Sequence, residues 1–285
     1  MLLRPGTNLD RLPRPLVVHT MIGDCTDKDS VLAAMSGVHT IIHLVGSEAQ
    51  GRRARLAEVD VPSAKTVIEC ALAARVGRII YVSRPNADRA SAYPVLRAKG
   101  EIEEAIRESG LAYTILRTST LFGASDHFSE HIATLASALP IYVLPSDGET
   151  VFQPLWVDDL VTCILMTLED LDSIDKVIHI GGPELLSYRR IVLRVMHTLG
   201  HRRMLVSLPL LVNQAGVWFL DGLFARWPIT RHWIEMFSAS QASELGTVER
   251  LFGFRPSAFD LGLLSQYIGR RPYLLRLVRH ILTTD

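Results

Sequence analysis

The stretch VPSAKTVIECALAARVGRIIYVS (residues 61–83) decides the fold. Residues 61–77 set Ala, Val, Ile and Leu at helical spacing and end on Gly77, a helix stop. Residues 78–83 then form a short β-branched run of strand length. The same alternation extends to both sides. Upstream, PLVVHTMIGD (15–24) reads as a strand ending in a Gly-Asp turn, DKDSVLAAMSG (27–37) as a short helix and VHTIIHLVG (38–46) as a buried strand. Downstream, VLRAKGEIEEAIRESG (95–110) is a charged amphipathic helix and LAYTILR (111–117) a further strand. Strands separated by helices require right-handed crossovers, which predicts an α/β fold: a doubly wound parallel sheet with helices on both faces.

The chain's 285 residues allow one large domain with a smaller lobe. Thirty basic and thirty acidic side chains cancel, so no global field attracts nucleic acid or an anionic membrane. Cys25, Cys70 and Cys163 are far apart and odd in number, which fits a reduced, cytoplasmic protein and excludes a disulfide framework. No secretory signal is visible. After about residue 140 the texture changes. Asp158-Asp159 open a helix, KVIHIGGPE (176–184) is a late strand, and Ser187 begins a helix that Gly200 stops. The expected division is a dinucleotide-binding-type domain over 1–184 and a mainly helical lobe over 185–285. The apolar run 204–227 carries Pro209, Asn213, Gln214 and Asp221, so it reads as a half-buried lobe helix, not a membrane span. The tail from residue 267 sets Arg270, Arg271, Arg276 and Arg279 among leucines. Such an end reads first as a solvated helix packing one face on the lobe, and second as a peripheral contact with the inner face of a membrane or with a partner.

The ordered set HLVG, AKTVIECALAARVGRIIYVS, VLRAKGEIEEAIRESGLAYTILRTSTLFG, FQPLWVDDL and IHIGGPELLSYRRIV resembles the atypical extended short-chain dehydrogenase/reductase proteins. The branch is similar to the NmrA-like group and to the nucleotide-binding accessory subunit of respiratory complex I. The resemblance implies an NAD(P)-binding Rossmann sheet whose first strand and helix carry G-x-x-G-x-x-G, and that loop is not in the sequence. Aligned to the family, MLLRPG matches the end of the second strand. The resemblance therefore implies a truncated sequence, with unpaired strand edges, impaired cofactor binding and a tendency to aggregate.

What remains of the implied cofactor site is Arg4, Asp24 with Cys25, then Leu44, Val45 and Gly46, Ser83, Lys99, and Thr118 with Ser119. An Arg at the end of the second strand accommodates the 2′-phosphate and favours NADP(H) over NAD(H). Asp24 matches a position beside the adenine, and it is equally a turn-former. For catalysis the family uses a Tyr, a Lys four residues later and a Ser on the preceding strand, so that the cation lowers the phenol pKa. Ser83 and Lys99 stand in place, but four residues before Lys99 is Val95. Tyr93 is the nearest substitute, set outside the helix by Pro94. HFSEH (127–131) matches an inverted zinc-protease signature, but nothing in the sequence supplies a third ligand, and no metal is expected.

Two functions stay open. One is an NADPH-dependent reductase or isomerase of a small molecule, with no nucleic-acid partner. The other is a non-catalytic nucleotide-binding protein: structural, redox-sensing or assisting a respiratory complex.

Overall fold

The computed structural model describes residues 1–7, 18–48, 54–223, 242–269 and, singly, Trp233, Met236, Phe237 and Tyr273. The chain forms two compact units. The first takes Met1–Glu48, Arg55–Leu116 and Asp170–Ile178; the second is built mainly from Arg117–Glu169 and His179–Asp285.

In the first unit the order is β1 (Leu2–Leu3), β2 (Met21–Ile22), α1 (Lys28–Ala34) and β3 (Thr40–His43). A widened turn over Leu56–Asp60 leads into α2 (Val61–Ala73), then β4 (Arg78–Ser83) and α3 (Pro94–Glu108). β5 (Ala112–Thr118) follows at its end. β1 and β2 pair in parallel as a separate two-stranded sheet. β3 runs parallel to β4, with Thr40 opposite Arg78 and His43 opposite Tyr81. The four-stranded sheet has the order β10-β5-β4-β3, where β10 is Lys176–Ile180, so β3 lies at its edge.

β4 is almost wholly buried, as expected of a parallel strand covered on both faces. Ile79, Ile80 and Tyr81 are inaccessible, and α3 contributes Ile102 and Ile106 to the same core. The buried Arg78 anchors the start of β4. Its guanidinium donates to Thr114 Oγ1 (2.5 Å), Ser173 Oγ (2.7 Å) and the Asp170 carbonyl (3.1 Å). Gly100 permits α3 to lie on the preceding loop, because a Cβ there would fall 2.3 Å from the Arg89 backbone nitrogen.

The second unit contains β6 (Leu121–Phe122), α4 (Ser129–Ala138), β7 (Ile141–Pro145), β8 (Val151–Phe152), β9 (Leu155–Trp156) and α5 (Val157–Glu169). β11 (Leu186–Ser187), α6 (Tyr188–Leu199), β12 (Met204–Leu208), α7 (Leu210–Leu223), α8 (Thr247–Phe252) and α9 (Leu261–Tyr267) complete its described elements. Its core is aromatic, with Phe122, Phe128, Phe152, Tyr188 and Phe259 among its members. The hydroxyls of Tyr142 and Tyr188 lie 2.7 Å apart inside it.

Several elements differ from the sequence expectation. The run 204–227 is not one helix: residues 204–208 are a strand paired in parallel with β7, and Pro209 separates it from α7. The strand expected over 15–24 is realised as Met21–Ile22, and residues 8–17 lie outside the described part. Ser187 stands at the start of α6 without bonding it through its side chain. Asp159 at the start of α5 accepts from Ser257 N (2.6 Å), and Asp158 from Trp156 Nε1 (3.1 Å). The arginines of the tail, 270, 271, 276 and 279, lie outside the described residues.

Candidate functional site

The carboxyl ends of β3 and β4, roofed by α3, bring together several of the polar side chains buried in the first unit. β3 ends on His43 and β4 on Ser83, both buried. From α3, successive turns present Val95, Lys99, Glu103 and Arg107, four residues apart and therefore on one face.

Glu103 has no accessible surface. Its carboxylate accepts from Ser83 Oγ at 2.6 Å and from Arg107 Nη2 at 2.8 Å. A carboxylate is buried at tolerable cost only when hydrogen-bonded and paired, and these two donors meet that need. The Ser83 hydroxyl is thus spent on a structural clasp. Sequence reading did not single out Glu103, although its place four residues beyond Lys99 on a buried stripe was the available signal.

Lys99 is half-buried and its ammonium donates no hydrogen bond among the described residues. Nζ stands 5.3 Å from the centre of the Tyr81 ring. A Cβ added at Gly46 would lie 3.9 Å from it. Burial pushes the ammonium below its ordinary pKa and Arg84 adds to the push, while Glu48, Asp60 and Glu103 oppose it. Burial and those same three carboxylates hold the Tyr81 phenol far above its usual range. Tyr81 therefore keeps its proton, the opposite of a phenol activated by a cation. His43 packs on Tyr81 with ring centres 5.7 Å apart, and burial together with the Lys99 charge pushes it down to about 4.

Beside this cluster the loop after β3 is clamped from below. Ser47 N donates to Asp60 Oδ2 (2.9 Å) and Arg55 N to Ser47 Oγ (3.1 Å). His43 Nε2, Asp60 Oδ1 and Tyr81 OH are buried atoms with no hydrogen-bond partner.

The other sequence candidates are placed as follows. Tyr93 adopts an extended backbone just ahead of Pro94, so it flanks α3, and Val95 is buried at 3% exposure. Asp24 Oδ1 accepts from Thr26 N (2.9 Å) and Thr26 Oγ1 (2.8 Å), a turn geometry that holds its carboxyl below the usual range. Arg4 is exposed at the end of β1. The Cys25 thiol is half-buried and pushed up by burial. Leu44 and Gly46 are exposed past β3, and Val45 is half-buried. Thr118 and Ser119 belong to the second unit, where Ser119 Oγ donates to the Gln153 carbonyl (2.5 Å). Of the HFSEH segment, Glu130 accepts from Ser125 N (3.0 Å) and the two imidazoles stand 5.7 Å apart.

Two ends of a dinucleotide meet different surroundings. Lys99, beside Gly46, is the residue that would meet the ribose–nicotinamide end. The pyrophosphate end finds no glycine turn in the sequence. In the first unit Asp27 caps the short helix α1, accepting from Ser30 N (3.0 Å).

A parallel sheet with connecting helices defines the class as α/β, with a lysine–serine–carboxylate cluster at the strand ends. Residues 1–133 match the family described as NAD(P)H-binding, and residues 88–181 match the NAD dependent epimerase/dehydratase family. The chain is thus similar, over its first two thirds, to the NAD(P)-binding atypical short-chain dehydrogenase/reductase proteins. It is 31% identical over 160 residues to subunit 9 of the NADH dehydrogenase [ubiquinone] 1 alpha subcomplex from Mus musculus, covering 56% of this chain and 42% of that protein. It is 33% identical over 100 residues to the photosystem II assembly factor Ycf39 of Cyanophora paradoxa, covering 35% and 31%. The chain thus spans well under half the length of these curated relatives. Its fold is that of the Escherichia coli NADPH-dependent quinone oxidoreductase solved with NADPH, at TM-score 0.68, 19% identity and 87% and 83% coverage. A Staphylococcus aureus nucleoside-diphosphate-sugar epimerase superposes at TM-score 0.70, with 15% identity and 90% and 88% coverage. Among the described residues no helix is long and apolar enough to cross a membrane.

Proposed function

We propose that this chain is a nucleotide-binding member of its family that does not run the tyrosine-dependent proton transfer, and that it serves as a structural or redox-sensing component associated with a respiratory complex. The observation that carries this reading is the inward face of α3. A buried valine stands where the acid/base would be, and the Ser83 hydroxyl is committed to Glu103. A hydrocarbon side chain cannot relay a proton. The tyrosine ring nearest Lys99 is surrounded by carboxylates that keep its phenol neutral. The names of the relatives, a complex I subunit and a photosystem assembly factor, support a role beside membrane-bound electron-transfer complexes. Arg4 at the end of β1 supports NADP(H) over NAD(H). The lack of a G-x-x-G-x-x-G turn in the sequence supports weak binding by the chain as given.

A second reading, a reductase or isomerase of a small molecule, is favoured by one feature: Lys99 donates no hydrogen bond among the described residues and stands beside Gly46, where an added Cβ would lie 3.9 Å from Nζ. There a nicotinamide, when bound, would supply the hydride, and Lys99 would hold the ribose hydroxyls.

The experiment is a calorimetric titration with NADPH and NADH, followed by turnover with quinones and small carbonyls. The expected result is weak binding that prefers NADPH and falls in Lys99→Ala, without oxidation of the nucleotide. Multiple turnover that is lost in Lys99→Ala would overturn the non-catalytic reading.

A further inference from the structure

The ribbon formed by β7 and β12 in the second unit has two apolar faces, and its size calls for only one. The strands are in parallel register, with Ile141 opposite Met204, Val143 opposite Val206 and Pro145 opposite Leu208. Alternation sends Tyr142 and Leu144 into the aromatic core, with Leu205 packed against it. The opposite face then holds Ile141 and Val143, each 40% exposed, together with Met204 at 63% and the half-buried Val206. Pro209 ends the ribbon, and Leu211 follows it at 78% exposure. Scattered exposed aliphatics are ordinary, but neighbours in strand register on one face form a patch.

Charge distinguishes what this patch is suited to touch. Residues 139–145 and 201–212 contain no acidic side chain, and the amino end of β12 carries Arg202 and Arg203. Arg203 is tied down, donating from Nε to the Ala136 carbonyl (2.9 Å), whereas Arg202 is exposed. At the other end the exposed Glu149 is answered by Arg189 at 3.5 Å. The ribbon therefore combines a flat aliphatic face with net positive charge at one end. An anionic bilayer surface rewards both features.

We infer that the outer face of the β7–β12 ribbon docks on an anionic lipid surface, with Met204 and Ile141 at the acyl boundary and Arg202 among the headgroup phosphates. The contact is interfacial and shallow: the open backbone edges of a two-stranded ribbon have to stay at the hydrated headgroup level. This inference does not depend on nucleotide binding, because every residue it uses belongs to the second unit.

The test is vesicle co-sedimentation of the full chain with phosphatidylcholine alone and with about a third phosphatidylglycerol. The wild type is expected to pellet with the anionic vesicles and to remain in solution with the neutral ones. Met204→Glu, at a site exposed enough to accept the charge without unfolding, is expected to lower partitioning about tenfold. Arg202→Glu is expected to remove the preference for anionic lipid. Circular dichroism of both variants confirms that the fold is kept. Equal partitioning of wild type and Met204→Glu would overturn the proposal, since any lipid contact would then belong to another segment. A dimer seen by sedimentation velocity, lost in Met204→Glu and accompanied by no vesicle binding, would overturn it too and assign the face to a second copy of the chain.

Discussion

Acidification is expected to loosen the first unit through His43. The imidazole is buried against Tyr81, its Nε2 bonds to nothing, and burial with the Lys99 charge brings its pKa from 6.5 to about 4. In the unfolded chain the same ring titrates near its ordinary value, so between these two points the unfolded state binds more protons. Stability therefore rises with pH across this window. The contribution is complete above roughly 6.5 and is lost as the pH falls toward 4. The interval from 6.5 to about 4, at ~1.4 kcal/mol per pH unit, amounts to about 3 kcal/mol. His43→Phe keeps a ring against Tyr81 and removes the titrating nitrogen. Urea unfolding followed by far-UV circular dichroism at about pH 7 and about pH 4.5 should show the wild type losing most of that amount relative to the variant. The first unit holds no tryptophan, so fluorescence follows the second unit alone and should respond to acid equally in both proteins. Half-buried Asp126 in the second unit, whose carboxyl is raised by desolvation, titrates in the opposite sense and cancels in the comparison. Parallel pH profiles for wild type and His43→Phe would refute the reasoning.

Three other substitutions have defined outcomes. Ser83→Ala deprives buried Glu103 of a donor and should cost about 2 kcal/mol, read as a lower midpoint in urea, with NADPH affinity unchanged; an unchanged midpoint with lost affinity would make Ser83 a ligand contact instead. Gly182→Ala would set a Cβ 1.7 Å from the Pro154 carbonyl oxygen, against backbone that cannot yield, and should cost more than ~3 kcal/mol or abolish soluble expression. Leu44→Lys, at 64% exposure beside the edge strand β3, should reduce self-association in light scattering without lowering the melting temperature.

The sheet and its helices were legible because their signals are local. RIIYVS is a β-branched run, and the segment from Pro94 to Glu108 has a proline at its first position and an apolar stripe at helical spacing. MLVSL was misread because a five-residue apolar run has no period long enough to separate strand from helix; the breaker Pro209 was the better guide. Lys99 and Ser83 could be located by their spacing, but not what they touch. The Ser83–Glu103 clasp depends on how α3 seats over β4, and Glu103 alone in sequence looks like any solvated helix carboxylate. Asp24 shows the reverse: its neighbour Thr26 was in view, and the turn it makes follows from those residues alone.

Arg78 has a consequence for how the chain must be synthesised. Its guanidinium, buried at the start of β4, is satisfied by Thr114 and by the 170–173 turn, some ninety residues later in the chain. Until that turn has left the ribosome, a nascent chain that docks β4 carries a cation short of most of its acceptors. The first unit is thus a late folder: its contacts are long in sequence, and it cannot complete itself while Arg117–Glu169 is still being translated. A fragment cut after Leu116 leaves Arg78 without Ser173 and the Asp170 carbonyl, and should survive only with that arginine exchanged for a neutral side chain.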